Sequence, residues 1–210
     1  MKRRMPVSLL LSTVMLIVAA AFTSDALTQV SMSVEPDSRL WIEGTSTVSA
    51  FTCEASTLDG EGRLSIPSDA RASVASGAAP DPVGHLAVPV QSFDCGRQRM
   101  NADFYEALKS DQHSEIQFEL TSVGVQDDVP TDEWNQIRVE GLLTIAGTTR
   151  TVDLIASWRR EGANRFRVTG SKALTMTSFG VRPPVALLGL VRARDDIEVH
   201  FDLIAEARGL

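Results

Sequence analysis

This chain of 210 residues contains few cysteines, glycines and prolines, and it has no excess of positive charge. Two Cys rule out a disulfide-dense scaffold, and 14 Gly with 9 Pro rule out collagen-like and low-complexity disordered chains. The 20 Lys and Arg are outnumbered by 27 Asp and Glu, which gives a net charge of −7 and disfavours a nucleic-acid partner. What remains is a 43% hydrophobic composition, which is that of an ordinary globular protein.

Catalytic motifs are also missing. The sequence contains no G-x-S-x-G, no H-E-x-x-H and no phosphate-binding loop of the P-loop type. Its three histidines are His85, His113 and His200, and no two have the spacing of metal ligands. His200 shares a polar strand face with Glu198 and Asp202, and a solvated outer face explains this trio better than a metal site. We therefore expect no enzyme, no metal and no cofactor; a hydrolase or metal enzyme would need loop residues around His85 or His113.

The one long hydrophobic run lies at the N-terminus. Lys2, Arg3 and Arg4 precede an apolar stretch from Leu9 to Phe22, and small residues follow at Ser24 and Ala26. This order is typical of a secretory signal peptide, and the stretch is shorter than the roughly 20 residues of a membrane-spanning helix. We predict a signal peptide over residues 1–26, cleaved after Ala26, and a periplasmic or secreted protein. An N-terminal segment (27–37) and one domain (38–207) would follow.

Export places Cys53 and Cys95 in an oxidising compartment. There, an even pair of cysteines favours a disulfide over two free thiols. The sequence has no C-x-x-C, so a thioredoxin-like redox motif is absent. We predict a structural disulfide between Cys53 and Cys95.

Period-two alternation of apolar residues dominates the rest of the chain. The clearest example runs from Ile137 to Arg159, where two half-buried strands flank Gly147 and predict a β-hairpin. Similar alternation predicts about six or seven further strands. One segment, Arg97 to Lys109, has a helical period instead, and its apolar stripe predicts an amphipathic helix on the sheet or at one end of a barrel. The polar stretches Pro67 to Gly84 and Gln126 to Asn135 are predicted loops.

These antiparallel strands must bury one apolar face, either in a two-sheet sandwich or in a closed barrel. Small residues on that face, such as Gly141, Ala156 and Gly170, indicate either unfilled interior volume or bends in the strands. The apolar segment from Leu174 to Leu190 would line a ligand entrance or plug one end. From strand alternation, the candidate wall residues of a lipid cavity are Phe118, Leu143, Leu154, Ala156, Phe166, Val168 and Phe201.

Several short motifs, in order, resemble those of the YceI-like, polyisoprenoid-binding proteins, and the resemblance runs from about Ser38 to Ala207. Its motifs are Gly44-Thr45-Ser46-Thr47-Val48, Phe51-Thr52-Cys53, Val88-Pro89-Val90, Ser92-Phe93-Asp94-Cys95-Gly96, Ile116-Gln117-Phe118, Gly141 through Thr149, Met176-Thr177-Ser178-Phe179-Gly180-Val181 and Pro183-Pro184. The chain departs from the family pattern at Ser49-Ala50 and at Ser114.

The resemblance implies an all-β, antiparallel, lipocalin-like β-barrel with one inserted helix and an elongated apolar cavity. It also implies a carrier that holds an isoprenoid or other long-chain lipid, such as a polyisoprenoid or an isoprenoid quinone. An envelope protein or a membrane surface would be its partner in ligand transfer. The alternative is an envelope scaffold or interaction protein whose barrel core is filled.

Overall fold

The computed structural model describes residues 27–67, 81–125 and 133–209, and strands make up most of them. The predicted signal peptide lies outside the described residues, as does most of each predicted loop. The strands are β1 (Leu27–Val34), β2 (Arg39–Ser46), β3 (Ala50–Ala55), β4 (Asp59–Pro67), β5 (Asp81–Pro89), β6 (Phe93–Asp94), β7 (Glu115–Val125), β8 (Asn135–Ile145), β9 (Thr148–Arg160), β10 (Arg165–Thr175), β11 (Val185–Ala186) and β12 (Val191–Arg208). One α-helix, α1 (Gln98–Ala107), and three 3₁₀ turns, Val90–Ser92, Met176–Phe179 and Leu187–Gly189, complete the chain's described elements.

The strands close into an eight-stranded antiparallel barrel. β12 pairs with β10 along one edge, and its other edge is shared between β2 and β1. From β2 the sheet continues to β3 and then β6, and from β1 it continues to β4 and then β5. The strands of these two series lie end to end, so β1 with β2, β3 with β4, and β5 with β6 each count as one strand of the barrel. β7, β8, β9, β10 and β12 are the other five. The predicted barrel is confirmed over the sandwich.

The local predictions with the strongest periodicity are confirmed. β8 and β9 form the predicted hairpin, joined by a turn at Ala146 and Gly147 with φ values of 48° and 78°. Positive φ at two central residues gives the turn a twist that matches its strands, and glycine adopts it without strain. Helix α1 lies where the apolar stripe predicts it, between β6 and β7.

The predicted domain start at residue 38 is wrong, because β1 already belongs to the barrel. It pairs with β4 from Leu27 to Ser33 and with the end of β12 from Ser31 to Val34. Val30, Met32 and Val34 alternate with polar residues, so the period-two signal is present in the sequence. The alternation alone would predict a strand here, but the segment directly follows the predicted cleavage site and is therefore assigned to an N-terminal segment outside the domain. Similarly, β5 begins at Asp81, inside the loop predicted to end at Gly84.

Helix α1 and the disulfide hold one end of the barrel together. The structure pairs Cys53 on β3 with Cys95, three residues before the helix begins at Gln98. Tyr105 donates a hydrogen bond from its hydroxyl to the Phe93 carbonyl at 2.6 Å. Asn101 accepts one from the Cys95 amide at 2.8 Å and donates one to Asp94 at 3.0 Å, which lowers the pKa of Asp94. Asn101 and Tyr105 thus fix the helix to the segment that directly precedes it, Phe93 to Cys95.

Charged residues on the strands lie mainly on the outer face. Arg167 on β10 donates two hydrogen bonds to the Asp202 carboxylate on β12, one of them at 2.7 Å from Nε. This pairing lowers the pKa of Asp202. Arg167 also lies 3.6 Å from Glu161. The pair spans two neighbouring strands, so it adds a cross-strand contact outside the barrel.

Three interior glycines lie under phenylalanine rings from the neighbouring strand. A Cβ added to Gly141 would lie 2.3 Å from the Phe118 ring, one on Gly170 would lie 2.6 Å from Phe201, and one on Gly44 would lie 2.4 Å from Phe51. The glycines therefore make room for aromatic rings, an arrangement that neither of the two sequence interpretations included. A ladder shift between Leu120 and Ser122 on β7, where Leu120 pairs with Gly141, also shows the bend that one interpretation expected.

Removing the disulfide should destabilise the barrel strongly. It closes a loop of 42 residues, for which the chain-entropy model gives roughly 4 kcal/mol. We expect Cys53→Ala with Cys95→Ala to lower the free energy of unfolding by about this amount in urea titrations. Reductant should lower the stability of the wild type and leave the double variant unchanged. Equal stability of the wild type with and without reductant would contradict the prediction.

Gly141→Ala should destabilise the protein, because the added methyl group meets both the Phe118 ring and the Glu119 carbonyl oxygen, the latter at 2.5 Å. Overpacking of this kind costs about 1–3 kcal/mol. Gly124→Ala is the matched control, since nothing lies within 4 Å of its added Cβ. Thermal unfolding of both variants measures the difference, and equal stabilities would show that the ring over Gly141 moves away freely.

Candidate functional site

The barrel encloses an elongated cavity of about 1120 Å³. Its lining begins at helix α1 and at the hairpin between β2 and β3, and extends past the middle of the barrel to Val30, Met32 and Val123. Ligand pockets commonly measure about 300–1,000 Å³, so this volume suits a large ligand. Eight strands give a barrel wide enough for one small ligand, and here the side chains leave that space open.

All seven residues that strand alternation selects line this cavity. Phe118 comes from β7, Leu143 from β8, and Phe201 from β12, and the remaining four come from β9 and β10: Leu154, Ala156, Phe166 and Val168. Ala156 pairs with Gly170 across β9 and β10. Contact of these residues with a ligand stays a prediction.

The cavity wall also contains residues that the candidate set does not include. Some lie on strands whose alternation is visible in the sequence and could have been selected by the same rule, such as Val30 and Met32 on β1 and Trp158 on β9. Others come from helix α1 and the loops, where period two gives no signal. These are Met100 and Phe104 on the helix and Met176, Phe179 and Val181 after β10, whereas Ile116 lies on β7 in phase with Phe118.

The segment from Leu174 to Leu190 contains one part that plugs the barrel and another that lines the cavity, and ligand entry beside it stays a prediction. Phe179 and Val181 are buried in a cluster with Val90, Leu108 and Ile145, so the first part plugs the barrel beside helix α1. Pro184, Ala186 and Val191 line the cavity further along the chain. The second part of the segment therefore forms the rim of an opening that it shares with the β2–β3 hairpin.

Charged residues are few along the described lining: Arg63, Arg97, Arg99, Asp103 and Lys172. Arg99 pairs with Asp103 at 3.1 Å on helix α1. Lys172 follows the inward positions Val168 and Gly170 on β10, but its ammonium group contacts the Asp153 carbonyl oxygen and lies 3.5 Å from its carboxylate. β9 and β10 pair only as far as Ala156 and Gly170, and Lys172 crosses the space where they separate. The charges thus leave the middle of the cavity apolar.

His200 lies away from the cavity, on the outer face. Its ring stacks on Trp41 with centroids 5.0 Å apart, and its Nε2 lies 3.6 Å from Glu43 and 3.9 Å from Glu198. Across the ranges that the structure describes, no three His, Cys, Asp or Glu side chains converge in a way that could hold a metal ion. The same part of the chain contains no helix long and apolar enough to cross a membrane.

Three solved structures are similar to this barrel. A polyisoprenoid binding domain from Saccharophagus degradans matches with a TM-score of 0.63 and 15% identity, over 87% of this chain and 100% of that one. Burkholderia cenocepacia BcnA matches with a TM-score of 0.60 and 17% identity, over 81% of this chain and 98% of that one. The Campylobacter jejuni YceI protein matches with a TM-score of 0.52 and 12% identity, over 73% and 83%. At identities this low, the matches show a shared fold and no more.

A comparison with curated proteins gives no match. A family model does match: the YceI-like domain covers residues 27–205, which include β1 and nearly all of β12. The match begins at the first barrel strand, in agreement with the corrected domain start. This chain belongs to the YceI-like family.

Proposed function

We propose that this protein is a periplasmic or secreted carrier that holds an isoprenoid or other long-chain lipid in its barrel. The observation that carries the proposal is the apolar cavity of about 1120 Å³, with its few charged residues held by partners or placed towards the ends. Such a container suits a ligand that is recognised by burial and not by a polar motif. In this proposal the lipid is cargo and not a cofactor.

Burial alone supplies enough affinity for such a ligand. Each buried methylene group contributes about 0.8 kcal/mol. About 20 buried groups supply roughly 16 kcal/mol, which covers an association cost of about 8 kcal/mol and leaves the roughly 8 kcal/mol of a micromolar complex. A long prenyl chain presents more apolar groups than this, so the absence of a polar recognition motif is consistent with the proposal.

The choice of an isoprenoid is supported by the relatives. One similar structure is described as a polyisoprenoid binding domain, and it matches over its whole length. An apolar cavity by itself accepts any long aliphatic chain, so the family likeness and not the geometry favours the prenyl class. Family membership likewise favours a binding protein over an enzyme.

Location outside the cytoplasm is supported by two independent features. The N-terminal sequence has the basic, apolar and small-residue order of a signal peptide. The structure pairs its two cysteines, and structural disulfides persist in oxidising compartments. The alternative of an envelope scaffold with a filled core is disfavoured, because the interior contains a cavity.

Filling the cavity should reduce lipid uptake. Val168→Phe and Ala156→Phe each add a ring at the inner wall, while Ile155→Phe adds the same type of ring at an exposed position on the outer side of β9. If the ring displaces about two methylene groups of the ligand, at ~0.8 kcal/mol each, affinity falls roughly tenfold. Co-elution of a prenyl quinone with each protein in gel filtration measures the effect.

Circular dichroism of each variant checks that it is folded. Ala156 is 1% exposed, so its variant is more prone to misfold than the Val168 variant, and the latter keeps the test decisive. The proposal expects Ile155→Phe to retain wild-type uptake. Equal uptake by folded Val168→Phe and wild type would remove this region from the binding site, and no uptake by the wild type would overturn the carrier proposal.

A further inference from the structure

Exposed apolar side chains gather at the rim of the cavity. We call this group the rim patch, defined as Val48, Val185, Leu188 and Leu190. Val48 is 68% exposed, Leu190 is 78% exposed and Leu188 is fully exposed, although these are the side chains that folding normally buries. Contiguous exposed apolar surface of this kind marks interaction sites in soluble proteins.

Two separate chain segments are held together to form the rim patch. The Thr47 hydroxyl donates a hydrogen bond to the Leu190 carbonyl at 3.2 Å and accepts one from the Arg192 amide at 3.3 Å. The Thr47 amide also donates to the Arg192 carbonyl at 2.9 Å. The tip of the β2–β3 hairpin, with Val48, is therefore fixed beside the segment that contains Leu188 and Leu190.

Leu188 has a backbone conformation that packing within the barrel does not explain. Its φ and ψ are 56° and 31°, in the left-handed region that leucine rarely adopts. Its side chain is fully exposed, so the described part of the chain does not bury it in return. Unusual backbone geometry of this kind tends to occur at functional sites.

Arginines outnumber acidic residues in the chain around the rim patch. Arg182, Arg192 and Arg194 are all exposed, and the sequence contains no Asp or Glu from Met176 to Arg194. None of the three forms an ion pair with a described carboxylate. The next acid in the chain, Asp195, accepts hydrogen bonds from the Thr177 amide and hydroxyl. A basic rim on a protein with a net charge of −7 indicates an anionic partner.

The rim patch adjoins the cavity opening. Val48 itself lines the cavity, as do Ala186 and Val191, which lie beside the patch in the chain. Arg97, just before helix α1, also lines the cavity, whereas Arg99 is paired with Asp103. Any surface that covers the rim patch would therefore meet the mouth of the cavity.

We propose that the rim patch docks on a lipid bilayer that carries anionic headgroups. Apolar side chains would enter the interface while the arginines contact the headgroups, as in other peripheral membrane proteins. A second copy of the chain fits less well, because a symmetric contact would bring like-charged arginines together. This inference rests on the proposed function for its purpose: the docked mouth would exchange a lipid with the bilayer without exposing it to water.

Hydrogen exchange of the full chain with vesicles tests the docking directly. Vesicles of phosphatidylcholine mixed with phosphatidylglycerol should slow amide exchange in residues 46–49 and 185–191, and high salt should reverse the effect. Pure phosphatidylcholine should give weaker protection. All samples carry the same N-terminus, verified by intact mass. Exchange at these two segments that is unchanged by anionic vesicles would overturn the proposal, whatever the total amount bound.

Variants of the rim separate the apolar from the charged contribution. Leu188→Asp with Leu190→Asp should weaken vesicle affinity roughly tenfold or more, since two apolar contacts are lost and two negative charges are added. Asp tolerates the left-handed backbone at position 188 better than most residues do, so the variant should fold. Ile155→Asp, on the outer wall, is the control and should bind as wild type. Equal affinity of the rim variant and the wild type would contradict the docking.

Arg182→Gln with Arg194→Gln should weaken binding to the anionic vesicles and reduce its salt dependence. Arg138→Gln with Arg208→Gln removes the same charge from exposed positions elsewhere and should have little effect. Equal losses for the two pairs would show that only net charge matters and would overturn a localised basic rim. Protection of the rim that appears without vesicles and grows with protein concentration would favour self-association instead.

Docking and lipid carriage fail in distinguishable ways. Val168→Phe alters the inner wall and leaves the rim unchanged, so it should retain vesicle docking. A wild type that docks through the rim but takes up no prenyl quinone would overturn the carrier and not the docking. A wild type that takes up quinone but shows no rim protection would overturn the docking alone.

Discussion

The pairing of β12 with both β1 and β2 is the contact on which the barrel depends. β12 has 18 residues and forms ladders with β10 on one side and with the two short strands on the other. This pairing joins the two ends of the sheet, so the barrel closes and the terminal strands β1 and β2 are not left as open edges. Closure also forces the apolar faces inward, so the same pairing that completes the sheet creates the cavity.

The width of the closed sheet then determines what the side chains can do. Phenylalanine rings cover three interior glycines and shape the wall, but they lie along it and do not cross the barrel. Helix α1 and Phe179 fill one end, where the disulfide and the Tyr105 hydroxyl fix the helix to the strands. Packing is thus concentrated near the helix, and the space beyond it stays open. The barrel can be both stable and hollow, because the packed core lies at the helix end and the cavity lies beyond it.

Much of this arrangement could be predicted from the sequence. Alternation identified the β8–β9 hairpin and seven cavity-wall residues, because a strand places alternate side chains on opposite faces. The helix followed from the spacing of Met100, Phe104 and Leu108. Alternation cannot report which neighbour covers a residue, so the rings over Gly141 and Gly170 were not predicted. The rim patch could not be predicted either, since the sequence does not distinguish exposed from buried leucines. β1 is not predicted as a barrel strand, because it directly follows the predicted signal peptide.

The central claim is that the barrel is a container for a long apolar ligand. Native mass spectrometry of the protein purified from its own cells, followed by solvent extraction, tests it most directly. We expect a species heavier than the mature chain that loses a prenyl or other long-chain lipid on extraction. A single species at the mass of the chain alone, which also fails to gain mass when incubated with a prenyl quinone, would contradict the claim.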